Sequence, residues 1–157
     1  VTTQDEHFRR VAQSGAIRPS VRAICLRGDT ILAQQPADDP SSCFAFVGGR
    51  LEVGDTFEGR IRVELDEELG STVTRVEYLF VVENRFRVPE GLVHCVEHFL
   101  HVDIADGEVR TREPHLTHHW LPLAQLPVVD LRPRVVRDAL IDGSWTTVRH
   151  LLVPFDG

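Results

Sequence analysis

Three glutamates, Glu64, Glu67 and Glu68, follow a double glycine, Gly48-Gly49, at a fixed distance. On a helix they stand at i, i+3 and i+4 and share a face about 100° wide. Such a face is costly. Like charges at i and i+4 repel by about 0.2–0.5 kcal/mol per pair. Carboxylates in the last turns also oppose the helix dipole, by about 0.3–1 kcal/mol each when exposed. Hard divalent cations remove both penalties, because Mg²⁺ and Mn²⁺ prefer oxygen ligands and bridge carboxylates to phosphates. A run of acids alone ordinarily reads as a solvated helix face. The glycine turn, set at a constant spacing ahead of the acids, favours a built site instead.

The elements that must carry these residues are legible. Thr56 to Leu69 predicts a helix, with Thr56 as N-cap and Gly70 as stop. Phe57, Ile61, Leu65 and Leu69 recur every four residues as its apolar stripe. Phe44 to Val47 predicts a short strand running into Gly48-Gly49. Upstream, Ile17 to Leu26 reads as a strand with Val21, Ala23 and Cys25 on one face. Gly28-Asp29 turns it into a hairpin with Ile31 to Gln34. Pro36 to Ser42 is a polar loop. Two long strands follow the helix, Val73 to Val88 and Leu92 to Ile104, joined at Pro89-Glu90-Gly91. Trp120 to Leu126 predicts a short strand and loop, Pro133 to Ile141 a helix, and Trp145 to Phe155 a final extended segment. Residues 1–15 predict a short helix or a loose arm. No repeat or linker interrupts the chain, so one domain over 1–157 is expected.

The 157 residues suit one core, and 42% hydrophobic with 26% charged residues describes an ordinary globular chain. The net charge of −7 argues against a broad grip on nucleic-acid backbone, but small phosphorylated ligands can bind through bridging cations. No apolar stretch is long enough to span a bilayer, and no signal peptide is visible. Cys25, Cys43 and Cys95 are too few for a disulfide framework, which points to a reducing cytoplasm. The histidines His94, His98 and His101, then His115, His118 and His119, lack the ligand spacing of a structural zinc site. They read as surface or site-rim residues. Cys43 reads as a small packed thiol, and Phe46, Phe86 and Trp120 as core aromatics.

The segment GGRLEVGDTFEGRIRVELDEELG resembles the box of the Nudix hydrolase family, G-x5-E-x7-R-E-U-x-E-E-x-G-U, placed from Gly49 to Ser71. Gly49, Glu64, Glu67, Glu68 and Gly70 match, and Leu65 fills the first aliphatic position. Asp55 stands where the family has Glu, Val63 where it has Arg, and Ser71 where it ends on an aliphatic residue. The resemblance implies an α/β fold, with a mixed β-sheet sandwiched between helices (α/β/α). It implies a metal-dependent pyrophosphohydrolase that cuts a nucleoside diphosphate linked to another moiety. Candidate substrates are nucleoside triphosphates, nucleotide sugars, ADP-ribose and dinucleoside polyphosphates. Mg²⁺ or Mn²⁺ would be held by the Gly48 carbonyl and by Glu64, Glu67 and Glu68.

By the same resemblance, Arg50 would touch phosphate and Glu52 would brace the loop. A later acid would act as general base, Glu97 first and Glu83 second. Glu97 lies in an apolar strand, where an unpaired carboxylate is costly, although alternation could also turn it to solvent. The family arginine ties the loop to the helix. Arg62 points about 100° away from position 63, which leaves Arg60 or Arg50 for that task. A homodimer is also implied. The rival readings are a nucleotide-sensing Nudix domain without turnover, suggested by Val63, and a prenyl-diphosphate isomerase, for which no residue pattern speaks.

Overall fold

A computed structural model describes residues 2–107 and 109–155; Val1, Glu108, Asp156 and Gly157 lie outside them. Of the short helix or loose arm expected at the start, the structure has the helix, α1 (Thr3–Ser14). It is opened by a reciprocal capping box between Thr2 and Asp5 and closed by Gly15 in the left-handed region.

The next segment corrects the expected hairpin. Strand β1 (Arg18–Ile24) ends before Cys25, and only β2 (Leu26–Arg27) pairs with β3 (Thr30–Pro36). The chain changes sheets at Cys25. Strand β1 instead lies parallel to β7 (Gly91–Ile104) and antiparallel to β5 (Gly48–Arg50). Local alternation could not show this, because both pairings present the same face.

Two sheets result. One has the order β10-β6-β7-β1-β5, with β6 (Val73–Val88) and β10 (His150–Leu152). The expected long hairpin β6–β7 forms its centre. The other sheet has the order β2-β3-β4-β9, with β4 (Phe44–Ala45) and β9 (Leu131–Arg132), and β8 (Leu116–Pro122) pairs with β3. Strand β8 starts four residues before the expected Trp120. The tail is a short 3-10 turn, Ser144–Thr146, and then the edge strand β10.

Helices α2 (Phe57–Leu69) and α3 (Arg134–Asp142) pack on separate cores. Around α2, Ile61, Leu65 and Leu69 join Val21, Ala23, Cys25, Leu32, Val47 and Leu100. Around α3, Val136 joins Ile24, Ile31, Phe46, Phe80 and Phe99. Phe57 does not complete the buried stripe. It is 36% exposed and stacks on His98 at 4.2 Å between ring centroids. Burying a leucine such as Leu65 is worth about 1.5–3 kcal/mol, so three such residues offset the charge repulsion on the neighbouring face. The mixed sheet architecture with helices is the one expected.

Candidate active site

The acid helix is held where the sheet ends. Strand β5 is the sheet edge, and its Gly49 lies opposite Val21 in register. A side chain at Gly49 would run into the Glu64 carboxylate, so the carboxylate can hold this station against the strand only because that position is glycine. Glu64 is largely buried against this strand, and Glu68 is buried one turn on; Glu67 is exposed. Burial raises the pKa of Glu64, and the neighbouring Glu68 charge adds to it. Glu68 Oε2 is buried with no hydrogen-bond partner.

A nearby cation would relieve the buried, charge-crowded Glu64. The donor set is all hard oxygen, which fits Mg²⁺ or Mn²⁺. Among the described residues, no three His, Cys, Asp or Glu side chains already converge as a cage. The fit therefore lies in charge and donor type, not in a preformed cage.

Arg60, three residues before position 63, ties the loop to the helix. Its Nε donates to Asp55 Oδ2 at 2.7 Å and its Nη2 to Asp55 Oδ1 at 3.2 Å, a two-pronged grip on the loop. The same guanidinium reaches Glu64 Oε1 at 3.5 Å and Glu52 Oε2 at 3.4 Å. The side-chain bond to Arg60 lowers the pKa of Asp55, and that of Arg60 rises in return. Asp55 is one methylene shorter than the family glutamate, and the arginine sits three residues earlier than the family position. Arg62 points elsewhere, to Glu58 at 2.9 Å and to the Val73 carbonyl at 2.6 Å. Val63 is 41% exposed.

The later acids stand apart from the helix acids. Glu97 is opposite Ser20 in register, so it shares the sheet face of Ser20 and Arg22. Val21 and Ala23 on the other face meet α2. Glu97 is buried but paired, with Arg22 Nε at 3.4 Å and Asn84 Nδ2 at 3.2 Å. The solvent-facing alternative for Glu97 is thus corrected. Glu83 is exposed and bonds to His150 at 2.6 Å. That pair belongs to β6 and β10, at the edge opposite β5, about 14 Å away at a strand spacing of about 4.8 Å.

Two groups escaped sequence reading. Arg18, Ser20 and Arg22 alternate on one face of β1, and Arg22 lies opposite Gly48 in register. Arg18 has its pKa lowered, first by burial and then by the neighbouring Arg22 charge. Arg50 is opposite Ser20 and exposed. The alternation was visible, but such a face ordinarily points to water. The second is the setting of His118, expected at the surface or site rim: its side chain is 2% exposed and its Nε2 lies 3.9 Å from Glu68 Oε2. Its partner is fifty residues away in sequence, beyond any local pattern. The remaining histidines form no zinc site among the described residues. His98 meets the Tyr78 hydroxyl at 3.0 Å, and His119 meets the Thr117 hydroxyl at 3.0 Å.

Comparison with known proteins agrees with this architecture. A family model described as NUDIX domain matches residues 16–140. The chain is similar to the NAD-capped RNA hydrolase NudC of Klebsiella pneumoniae subsp. pneumoniae, with 28% identity over 134 residues, 85% of this chain and 49% of that protein. It thus spans about half the length of this curated relative. Its fold is similar to a MutT Nudix hydrolase from Burkholderia pseudomallei, with a TM-score of 0.66 and 24% identity over 85% of this chain and 99% of that one. It is also similar to an ADP-ribose pyrophosphatase from Streptococcus suis, with a TM-score of 0.61 and 17% identity over 86% of this chain and 98% of that one. The family model takes in β1, the glycine turn, the acid helix and β8, and the chain belongs to the NUDIX domain family.

Proposed function

We propose that the protein is a Nudix hydrolase that cuts the diphosphate of a nucleoside diphosphate linked to another group. The observation carrying this reading is Glu64, set against the glycine turn with the buried Glu68 beside it, where burial and the Glu68 charge resist its ionisation. A helix face that breaks local rules in this way is explained by what it binds. Mg²⁺ or Mn²⁺, held by the Gly48 carbonyl, Glu64, Glu67 and Glu68, would neutralise the diphosphate and acidify a bound water.

The chain's own residues supply the rest. Arg22 and Arg50 flank Gly48 on β1 and β5, where they can meet substrate oxygens on the opposite side from the acids. Glu97, itself held by Asn84, and the Phe46 carbonyl hold Arg22 in place. With Glu97 so engaged and Glu83 at the far edge, the general base falls to the helix acids. Arg60 fixes the loop that positions Gly48 relative to Glu64.

Val63 suggested a domain that binds without turnover; the Arg60 grip on Asp55 supports the turnover reading instead. A panel of nucleoside triphosphates, nucleotide sugars, ADP-ribose and dinucleoside polyphosphates, incubated with Mg²⁺ or Mn²⁺, should release nucleoside monophosphate or pyrophosphate from at least one member. Tight binding of a panel member with no release under either metal would instead establish the sensor.

Arg60→Met should lower kcat/KM about 10–100-fold, the usual cost of losing a residue that orients metal ligands. Arg60→Lys should not restore it, because a point ammonium cannot reproduce the two-pronged grip on Asp55. Steady-state kinetics on the best panel substrate decide this. Wild-type activity in Arg60→Met would remove Arg60 from the machinery.

The setting follows the same reading. The three cysteines are free thiols, which suits a reducing cytoplasm. Among the described residues no helix is long and apolar enough to cross a membrane. A homodimer is the assembly proposed by family resemblance.

A further inference from the structure

Behind the acid face, two buried atoms look at each other without partners. Glu68 Oε2 and His118 Nε2 are 3.9 Å apart, and neither makes a hydrogen bond. At that depth an unmade bond is expensive. A shift of about 1 Å would bring the pair within normal hydrogen-bond range.

One segment already holds both residues from the other side. Thr111 Oγ1 lies 2.9 Å from His118 Nδ1. The Arg112 main-chain N–H donates to the Glu68 carbonyl at 2.7 Å. The Arg112 guanidinium covers Gly70 and donates to the Asp66 carbonyl at 3.4 Å. Residues 111–118 therefore clasp the last turn of α2 through main chain and side chain. Strand β8 gives the clasp a rigid base, since His118 is opposite Gln34 in the β3 ladder. Gln34 Oε1 is another buried oxygen with no partner.

We infer that His118 is a positioning residue for Glu68. Its Nδ1 accepts from the Thr111 hydroxyl, and its Nε2–H donates to Glu68 Oε2. That bond fixes the carboxylate plane and leaves Oε1 as the ligand atom. A histidine in this role sets the orientation and basicity of an acid it touches without itself meeting substrate. The purpose of the bond rests on the metal-hydrolase reading, but its existence does not.

The first measurement is nitrogen-15 NMR of the imidazoles in the metal-free protein. The proton of His118 should reside on Nε2, and a proton on Nδ1 instead would overturn the assignment. The second is Mn²⁺ affinity, read from the electron paramagnetic resonance signal of the free ion. His118→Leu should weaken binding about 10–100-fold, whereas His118→Gln, whose amide N–H reaches the Nε2 position, should stay within about threefold of the parent. Equal losses in both variants, or no loss in His118→Leu, would make His118 a packing residue only. If His118→Leu does not fold, Thr111→Val takes its place, with a shift of the proton to Nδ1 and weaker Mn²⁺ binding expected. A parent protein that binds no Mn²⁺ would defeat the hydrolase reading, while the NMR result alone would still decide the hydrogen bond.

Discussion

Glu68→Gln should abolish metal-dependent hydrolysis, by about 10²–10³-fold in kcat, the scale seen when one preorganised electrostatic group is removed. The same change should leave the metal-free fold intact or slightly firmer. Glu68 raises the pKa of Glu64. A carboxyl with a raised folded-state pKa costs stability once pH passes its unfolded value, and the cost is complete above the folded value. At neutral pH that cost is present in the parent and smaller in the variant. Relief of one like-charge pair is worth about 0.2–0.5 kcal/mol, or roughly 1 °C in Tm for a chain of this size. Calorimetry with and without Mn²⁺ reads both effects. Mn²⁺ should raise the Tm of the parent and not of Glu68→Gln. Full turnover in the variant, or equal Mn²⁺ stabilisation of both proteins, would show that Glu68 is only a buried acid.

The two glycines ahead of the helix should separate folding from chemistry. A side chain at Gly48 would collide with the Val21 carbonyl and main chain of β1. Neither partner can swing aside, so β5 must peel from β1. Gly48→Ala should cost about 3 kcal/mol, at the upper end of ordinary overpacking, and lower Tm by roughly 6–12 °C. A side chain at Gly49 meets only the end of the Glu64 side chain, which can rotate away. Gly49→Ala should therefore change Tm by no more than a degree or two. It should nevertheless weaken Mn²⁺ binding and turnover by more than about tenfold, because Glu64 is pushed off its station. Thermal melts beside Mn²⁺ titrations of the two variants make the comparison. An inert Gly49→Ala would mean that Glu64 need not sit against the strand.

Much of this was readable in the chain, for physical reasons that differ by element. Helix α2 announced itself through Thr56, Gly70 and the spacing of Ile61, Leu65 and Leu69, all local signals. The β6–β7 hairpin did so through its turn at Pro89-Glu90-Gly91. What escaped was non-local. Nothing near Ile24 says that the next residues join another sheet, because a strand's alternation fixes its faces and not its partners. The burial of Arg18 and Arg22 depends on a sheet face being covered, which their neighbours in sequence do not reveal. His118 was noticed for its company of histidines, yet its partner is an acid on a distant helix. Glu97 was read either as a later general base or as a solvent-facing acid, and its burial against Arg22 on the adjacent strand, which excludes the solvent-facing reading, is not a local signal.

The Arg60 grip carries a lesson for how such chains are recognised. With the anchor one turn early, position 63 faces water and is free to drift among many side chains. A search pattern that insists on arginine directly before the first helix glutamate would discard this protein and any other built the same way. A filter that accepts a basic residue at either turn, coupled to the length of the acid at position 55, would retain them.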